Sequence, residues 1–117
     1  MTPFGRRVRE LRALRGVSLK QMAADLNLSS AYLSALEHGQ RGRPSPGLVM
    51  QILGYLDVIW DEAEELKSLA ALSHPKVTLD TSGLSPTATE LANRLGKRIR
   101  ALPEERLQRL LALVAED

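Results

Sequence analysis

Ser18-Leu-Lys-Gln-Met-Ala-Ala-Asp-Leu-Asn-Leu-Ser-Ser-Ala-Tyr-Leu-Ser-Ala-Leu-Glu37 is the stretch that decides the fold. Ser18 and Ser29 stand where helices should begin, because a side-chain oxygen can accept a hydrogen bond from an unpaired amide of the first turn. Between them, Asn27 lies where the chain must reverse, and asparagine tolerates positive φ better than most residues other than glycine. The stretch therefore predicts two short helices joined by a tight turn.

The apolar pattern supports this interpretation. Gln21 follows Ser18 at capping-box spacing, and Ala23 is small enough for the second helix to cross close to the first. The apolar residues that share helical faces are Leu19, Met22, Ala23 and Leu26, then Leu33 and Leu36. The result is a helix-turn-helix, and its second helix, residues 29–38, is suited to a DNA major groove.

Helices are also predicted on both sides of this motif. Phe4, Val8, Leu11 and either Leu14 or Arg15 recur at helical spacing, which predicts a first helix from about Pro3 to Arg15, ended by Gly16. Its remaining arginines, Arg6, Arg7, Arg9 and Arg12, form either a solvated face or, for one or two of them, a contact to the DNA backbone. Gly39 should end the second helix of the motif, and Ser45-Pro46 should start another. That fourth helix buries Val49, Ile52, Leu53 and Leu56.

The next segment, residues 57–73, is predicted to be a helix that ends before His74-Pro75. Its inner face would carry Ile59, Ala63, Leu66 and Ala70, and its outer face is acidic. Such an acidic face should point away from DNA, toward solvent or a basic partner. Trp60, the only tryptophan, is interpreted as a packing anchor.

Residues 76–83 alternate apolar and polar side chains. A single strand cannot be stable alone, so this segment is either an extended linker, which we favour, or a strand that pairs with its symmetry mate. Ser85-Pro86 starts a helix to about Ala101, and Pro103 opens the last one. The two helices carry an apolar stripe for dimerisation: Leu91, Leu95, Ile99, Leu107, Leu110, Leu111 and Val114. Two helices of this size cannot bury both stripes themselves, which predicts a homodimer.

Composition limits the classes of function. The 117 residues contain no cysteine, which excludes disulfides and thiolate metal sites, and no apolar run of membrane-spanning length. Residues 1–56 carry eight Lys/Arg against three Asp/Glu, whereas residues 57–117 carry eight against eleven. The basic half contains the helix-turn-helix, as contact with phosphates requires. We expect a cytoplasmic protein with no leader segment and no membrane association.

Residues Phe4 to Val58 resemble the Cro/CI-type repressors, also called the XRE family of helix-turn-helix regulators. The residues that carry the resemblance are Arg12, Gly16, Ser18, Ala23, Leu26, Ser29, Tyr32, Leu33, Leu36, Glu37, Gly39, Pro44, Ser45, Ile52 and Leu56. Asn27 in place of the usual turn glycine and a slightly longer loop from Gly39 to Pro44 depart from the family pattern. The resemblance implies an all-α protein with a five-helix lambda-repressor-like domain at 1–73, then a linker or exchanged strand at 74–85. Residues 86–117 would form a C-terminal helical hairpin for dimerisation.

The resemblance also implies roles for individual residues. Arg12 and Glu37 occupy the positions of a buried structural pair that orients the recognition helix. Base contacts fall to Ser30, Ala31, Ser34 and Ala35. Contacts to the DNA backbone or the minor groove fall to Ser18, Lys20, Gln21, Ser29, Tyr32, Gln40, Arg41 and Arg43.

Serine and alanine offer no bidentate pairing to a base, so direct readout should be modest. Arg41-Gly-Arg43-Pro44 resembles the core of an AT-hook, whose arginines enter narrow A·T minor grooves. Contact of the same arginines with phosphates is the alternative, and we favour it about two to one because so short a string is easily matched by chance.

The sequence thus predicts a sequence-specific regulator of transcription, a repressor, that binds a palindromic double-stranded DNA site as a homodimer. The alternative is an antitoxin-type regulator whose C-terminal region binds a protein partner. His38 and His74 stand apart, with no catalytic or metal-binding spacing around them, so we expect neither an enzyme nor a metal or other cofactor.

Overall fold

The computed structural model describes residues 1–115, and they form an all-α protein without strands. This agrees with the predicted fold class. The helices are α1 (Pro3–Leu14), α2 (Leu19–Asp25), α3 (Ser30–Glu37), α4 (Pro46–Tyr55), α5 (Trp60–Ala71), α6 (Pro86–Arg98) and α7 (Glu104–Ala115). A short 3₁₀ helix, Ile99–Ala101, continues α6.

The chain divides into two compact units, which we call unit 1 (Met1–Val77) and unit 2 (from Thr78). The domain limits inferred from the sequence, 1–73 and 86–117, remain predictions, and residues 116 and 117 lie outside the described part of the chain. Within residues 1–115, no helix combines the length and apolar character that a membrane span needs.

Unit 1 is built around one hydrophobic core. In it, α2 lies against α3, α1 packs on both α3 and α5, and α4 packs on α5. The core consists of Phe4, Val8, Leu11, Met22, Ala23, Leu33, Leu36, Leu48, Val49, Ile52, Leu53, Leu56, Val58, Leu66 and Ala70. The inner faces predicted for the first four helices are therefore correct, except that Leu14 is exposed.

Four helices of unit 1 end in the same way. A residue with positive φ follows each of them: Gly16, Asn27, Gly39 and Asp57. The next amide then donates to a carbonyl five residues back, as from Val17 to Arg12 at 3.0 Å. This pair of features is a Schellman motif, which satisfies carbonyls left unpaired at a helix end. The predicted stops at Gly16 and Gly39 and the predicted turn at Asn27 are thus confirmed.

The beginning of α5 corrects the sequence prediction. Asp57 was expected to open this helix, but with φ 54° it completes the end of α4, and α5 starts at Trp60. Ile59 precedes the helix without a side-chain cap, and it is exposed rather than part of the inner face. The prediction for Trp60 is also wrong, because its side chain is 82% exposed and anchors no packing.

Unit 2 begins with an extended segment and has no strand among its described residues. Ser85 caps α6 by accepting a hydrogen bond from the Ala88 amide at 3.2 Å, as Ser-Pro starts require. The last helix begins at Glu104, one residue after Pro103. In α6, the 3₁₀ helix and α7, no described residue is fully buried.

Candidate DNA interface

Helix α3 separates a buried side from an exposed one. Leu33, Leu36 and Glu37 face the core. On the opposite side, Ser30 and Ala31 are exposed, and Ser34 and Ala35 are half-buried. Ser29 caps the start of α3 by accepting from the Tyr32 amide at 3.0 Å. The four positions predicted to contact bases therefore share the outer side of one short, capped helix.

The end of α3 is fixed by hydrogen bonds of its own. His38 follows the helix, and its Nδ1 lies 2.8 Å from the Ser34 carbonyl oxygen. The Glu37 carbonyl oxygen accepts from the Thr2 amide at 3.0 Å, which ties the end of α3 to the start of α1. A Cβ on Gly5 would lie only 2.2 Å from the same carbonyl oxygen, so only glycine permits this approach.

Arg12 and Glu37 form an ion pair beneath α3. One Arg12 nitrogen, Nη2, donates to both carboxylate oxygens of Glu37, at 3.1 and 3.0 Å. Arg12 is 8% exposed and Glu37 4% exposed. The Arg12 Nε atom is buried without a hydrogen-bond partner among the described residues. Because water is excluded, the charge of each residue is compensated by the charge of the other.

Helix α2 carries a second set of predicted contacts. Ser18 caps it by accepting from the Gln21 amide at 3.0 Å, and Lys20 and Gln21 are exposed. The capping box suggested by the spacing is not completed, since the Gln21 side chain donates forward to Asp25 Oδ1 at 2.8 Å. Gln21 is thus held along the outer surface of α2.

No local sequence pattern indicates that Asp25 has a partner in α4. Tyr55 donates its hydroxyl to Asp25 Oδ2 at 2.5 Å, across thirty positions of sequence. This hydrogen bond to a carboxylate raises the pKa of Tyr55. Asp25 therefore links α4 to Gln21, which places Tyr55 behind a predicted DNA-contacting side chain.

The loop after α3 supplies exposed cations. Gln40, Arg41 and Arg43 are all exposed, and Gly39 and Gly42 have positive φ. The Arg41 guanidinium lies 6.0 Å from the centroid of the half-buried Tyr32 ring, at the outer limit of a cation–π contact. No spacing rule connects a loop arginine to that ring, so sequence analysis missed the contact.

The arginines on the outer face of α1 differ in their ion-pair partners. Arg7 lies 3.5 Å from Glu62 and 4.0 Å from Glu65, and it also pairs with Glu10 at 3.1 Å. The acidic side of α5 is thus neutralised in part by a cation of the same unit. Arg6 pairs with Glu10 at 3.6 Å, while Arg9 is exposed. Arg7 is therefore engaged by α5, and contact of one or two α1 arginines with the DNA backbone stays a prediction.

The residues predicted for dimerisation remain accessible in unit 2. Leu91, Ile99, Leu111 and Val114 are exposed. Leu95, Leu107 and Leu110 are half-buried. Across residues 1–115, no group of three or more His, Asp or Glu side chains could hold a metal ion.

Comparison with known proteins matches residues 3–66 to a helix-turn-helix domain family. Two Bacillus subtilis proteins are similar over 61 residues, which is 52% of this chain. One, an uncharacterized HTH-type transcriptional regulator, RghRB, is 38% identical over 44% of its own length. The other, the HTH-type transcriptional repressor RghR, is 31% identical over 45% of its length. The chain thus spans a little under half of each relative, and no solved structure matches it.

Proposed function

This chain belongs to the helix-turn-helix domain family, and we propose that it is a sequence-specific, double-stranded DNA-binding regulator of transcription that acts as a repressor. Membership in this family agrees with the resemblance noted in the sequence and with a DNA-binding, non-enzymatic role. The repressor assignment draws on the name of one relative. A regulator of this kind acts in the cytoplasm, where a bacterial chromosome lies.

The observation that carries the proposal is the fixed outer side of α3. Its backbone is held by the Ser29 cap, by the bond from Thr2 to Glu37 and by the buried Arg12–Glu37 pair. An α-helix that lies at the surface of its domain in a fixed orientation can enter the major groove of B-DNA. Arg12 and Glu37 then act as positioning residues for the base-facing side chains.

Specificity is shared between α3 and the loop that follows it. Ser30 and Ser34 can bond several base edges, and Ala31 and Ala35 can contact only a thymine methyl group. Arg41 and Arg43 supply the charge, either to phosphates or in a narrow A·T minor groove. We favour phosphate contact, since the Tyr32 ring beside Arg41 suits the sugar-phosphate wall. Ser18, Lys20, Gln21, Ser29 and Gln40 extend this backbone contact.

We further propose that two copies bind a palindrome, with half-sites about one helical turn apart. The support is the accessible apolar stripe of unit 2, which a second copy would cover. The same stripe could instead receive a different protein, as in an antitoxin-type regulator. The accessible leucines are compatible with a second copy and with a different protein partner. The self-complementary repeat of leucines along α6 and α7 favours the homodimer.

Genome-wide footprinting with the purified chain tests the proposal. The expected result is a set of palindromic sites, with binding that weakens steeply as salt rises. Binding that is indifferent to salt and sequence would contradict it.

Arg43→Ala sharpens the test of the loop. With phosphate contact, it should weaken binding to all sequences and lower the salt slope by about one. Arg100→Ala, which removes an exposed cation from unit 2, is the matched control and should leave the slope unchanged. A loss confined to sites with flanking A·T pairs would favour the minor-groove alternative.

A further inference from the structure

A pocket opens on the surface of unit 1, between the start of α4 and the end of α5. Its volume is about 340 Å³, which is at the small end of the roughly 300–1,000 Å³ typical of sites for small organic ligands. Every residue that lines it belongs to unit 1, from Arg43 to Ala71. The pocket is therefore a property of unit 1 alone, and its size suits a compact ligand.

The apolar part of the pocket combines buried and exposed side chains. Pro44, Val49 and Ala70 line it and are buried, so they form its floor. Pro46 and Met50 line it and are exposed, and Met50 keeps 57% of its surface in water. An apolar ligand on this floor would remove part of the Met50 surface from water, which is favourable.

Two side chains of the pocket favour an aromatic ligand over a saturated one of the same size. The thioether of Met50 makes favourable contacts with the edge of an aromatic ring. The planar guanidinium of Arg43 can lie over the face of a ring. The pocket thus suits a flat body of about two fused rings.

The charge of the pocket selects an anion. Arg43 and Lys67 line it and are exposed, and none of the residues that line it is acidic. Pro46 adds the N-terminal end of α4, where the helix dipole is positive. Glu64 pairs with Lys67 at 3.2 Å, but its side chain is 74% exposed. Water screens such a pair, so a ligand carboxylate can compete for Lys67.

We propose that this pocket binds a small aromatic monocarboxylate and that the bound ligand weakens DNA binding. The carboxylate pairs with Arg43 and Lys67, while the rings cover Met50. The function proposed above places the same Arg43 on DNA, and one guanidinium cannot serve both partners fully. This regulation rests on that proposed function, whereas binding of the ligand does not. By linkage, DNA weakens binding of the ligand by the same factor.

Methionine methyl resonances test the pocket without DNA. Met50 lines the pocket, whereas Met22 is fully buried in the core and serves as the internal reference. Titration of the full chain with 2-naphthoate should shift the Met50 methyl resonance through the ring current and leave that of Met22 in place. Met50→Leu assigns the resonance. An unchanged Met50 resonance at about 1 mM 2-naphthoate, near the weakest affinity expected for so small a ligand, would overturn the proposal.

Two further probes test the chemistry of the ligand. 2-Naphthamide keeps the rings without the charge, and it should bind about fivefold more weakly than 2-naphthoate. Octanoate keeps the charge without a ring, and it should also bind more weakly. Equal affinity for acid and amide would overturn the roles of Arg43 and Lys67, and equal affinity for octanoate would overturn the aromatic preference.

A pocket-filling substitution tests the location. Ala71 lines the pocket and is exposed, so Ala71→Leu should narrow it and weaken 2-naphthoate binding by about tenfold. Ser68→Leu adds the same side chain at an exposed position of α5 that does not line the pocket, and it should bind within about twofold of the parent. Circular dichroism checks that both variants fold. Parent-like binding by Ala71→Leu would overturn the assignment of the site.

DNA affinity with and without 2-naphthoate, at matched ionic strength, tests the regulation. At saturating ligand, the Kd of the parent for a footprinted site should rise about fivefold, and its salt slope should fall by about one. In Arg43→Ala, the ligand should change the Kd by less than about twofold. Unchanged DNA affinity while the Met50 resonance reports a filled pocket would overturn the regulation. A chain that binds no DNA but still shifts Met50 would refute the proposed function and the regulation, and would leave the ligand site established.

Discussion

Helices of unit 1 and unit 2 begin with the same local chemistry, but their side chains are buried to different extents. Ser45-Pro46 and Ser85-Pro86 both start helices, and in each the serine accepts from the amide three residues on, at 3.2 Å. In α4, Leu48, Val49, Ile52 and Leu53 are buried, whereas no residue of α6 is. The difference teaches that a cap and an amphipathic pattern specify a helix, while burial requires other elements to pack on it.

Charge pairs show the same contrast. Arg12–Glu37 in unit 1 is sealed from water, whereas Glu90–Arg94 in unit 2, at 2.6 Å, has both side chains mostly exposed. The shorter distance doesn't make the stronger contribution, because water screens the exposed pair and hydrates either ion once its partner is removed. Four substitutions can break or sharpen the comparison of unit 1 with unit 2.

Glu37→Ala should have the largest effect. It leaves the Arg12 guanidinium buried without a counterion, and we expect unit 1 to lose about 3–5 kcal/mol of unfolding free energy. Urea unfolding followed by circular dichroism measures the loss. Glu10→Ala, which removes an exposed carboxylate from the partners of Arg7, is the matched control and should cost under about 1 kcal/mol. Equal stability of the Glu37 variant and the parent would show that the buried pair doesn't hold α3.

A leucine-to-alanine substitution in each unit should give the second-largest effect and should distinguish the two units. Leu66 is 1% exposed and Leu91 is 58% exposed. Leu66→Ala should cost about 2–5 kcal/mol of stability at any protein concentration, because it opens a cavity in the core.

In dilute protein, Leu91→Ala should cost no more than about 0.5 kcal/mol, since its side chain is already hydrated. Its effect should appear instead as weaker self-association in sedimentation. If Leu91→Ala destabilises the dilute chain as strongly as Leu66→Ala, unit 2 has a core of its own and the comparison fails.

Arg94→Ala should have the smallest effect. It removes an exposed pair one helical turn apart in α6, for which we expect a change of about 0.3–0.5 kcal/mol in unfolding free energy. Moderate salt should abolish the difference between variant and parent. A loss above about 2 kcal/mol, persistent in salt, would mean that Arg94 is buried in an assembly.

Much of unit 1 was predictable because its signals are local. Serine caps, the stops at Gly16 and Gly39 and the turn at Asn27 each depend on a few neighbouring residues. The apolar periodicity identified the inner faces of α1 to α4. The candidate interface followed from a resemblance over the same segment, and residues 3–66 match the helix-turn-helix family.

The sequence predictions were wrong where a local signal fits two different structures, or where there is no local signal. Asp57 suits the start of a helix, yet it ends α4, and Ile59 provides no side-chain cap for α5. Trp60 was interpreted as a packing anchor, as suits a residue type that is usually well buried, but its side chain is exposed at the start of α5. The sequence also did not show that the packing of α1 on α5 brings Glu62 and Glu65 to Arg7.

By itself, the sequence indicated the helices described in residues 1–115 and the helix-turn-helix, because capping and periodicity act over a few residues. The outward-facing positions of α3 followed from the resemblance over the same segment. Only the tertiary structure decided that Tyr55 supports Asp25, that Gly5 must stay without a side chain, and that Trp60 is exposed. These relations join residues distant along the chain, or depend on which face of a helix its neighbours cover. Their energies come from packing that no local pattern encodes.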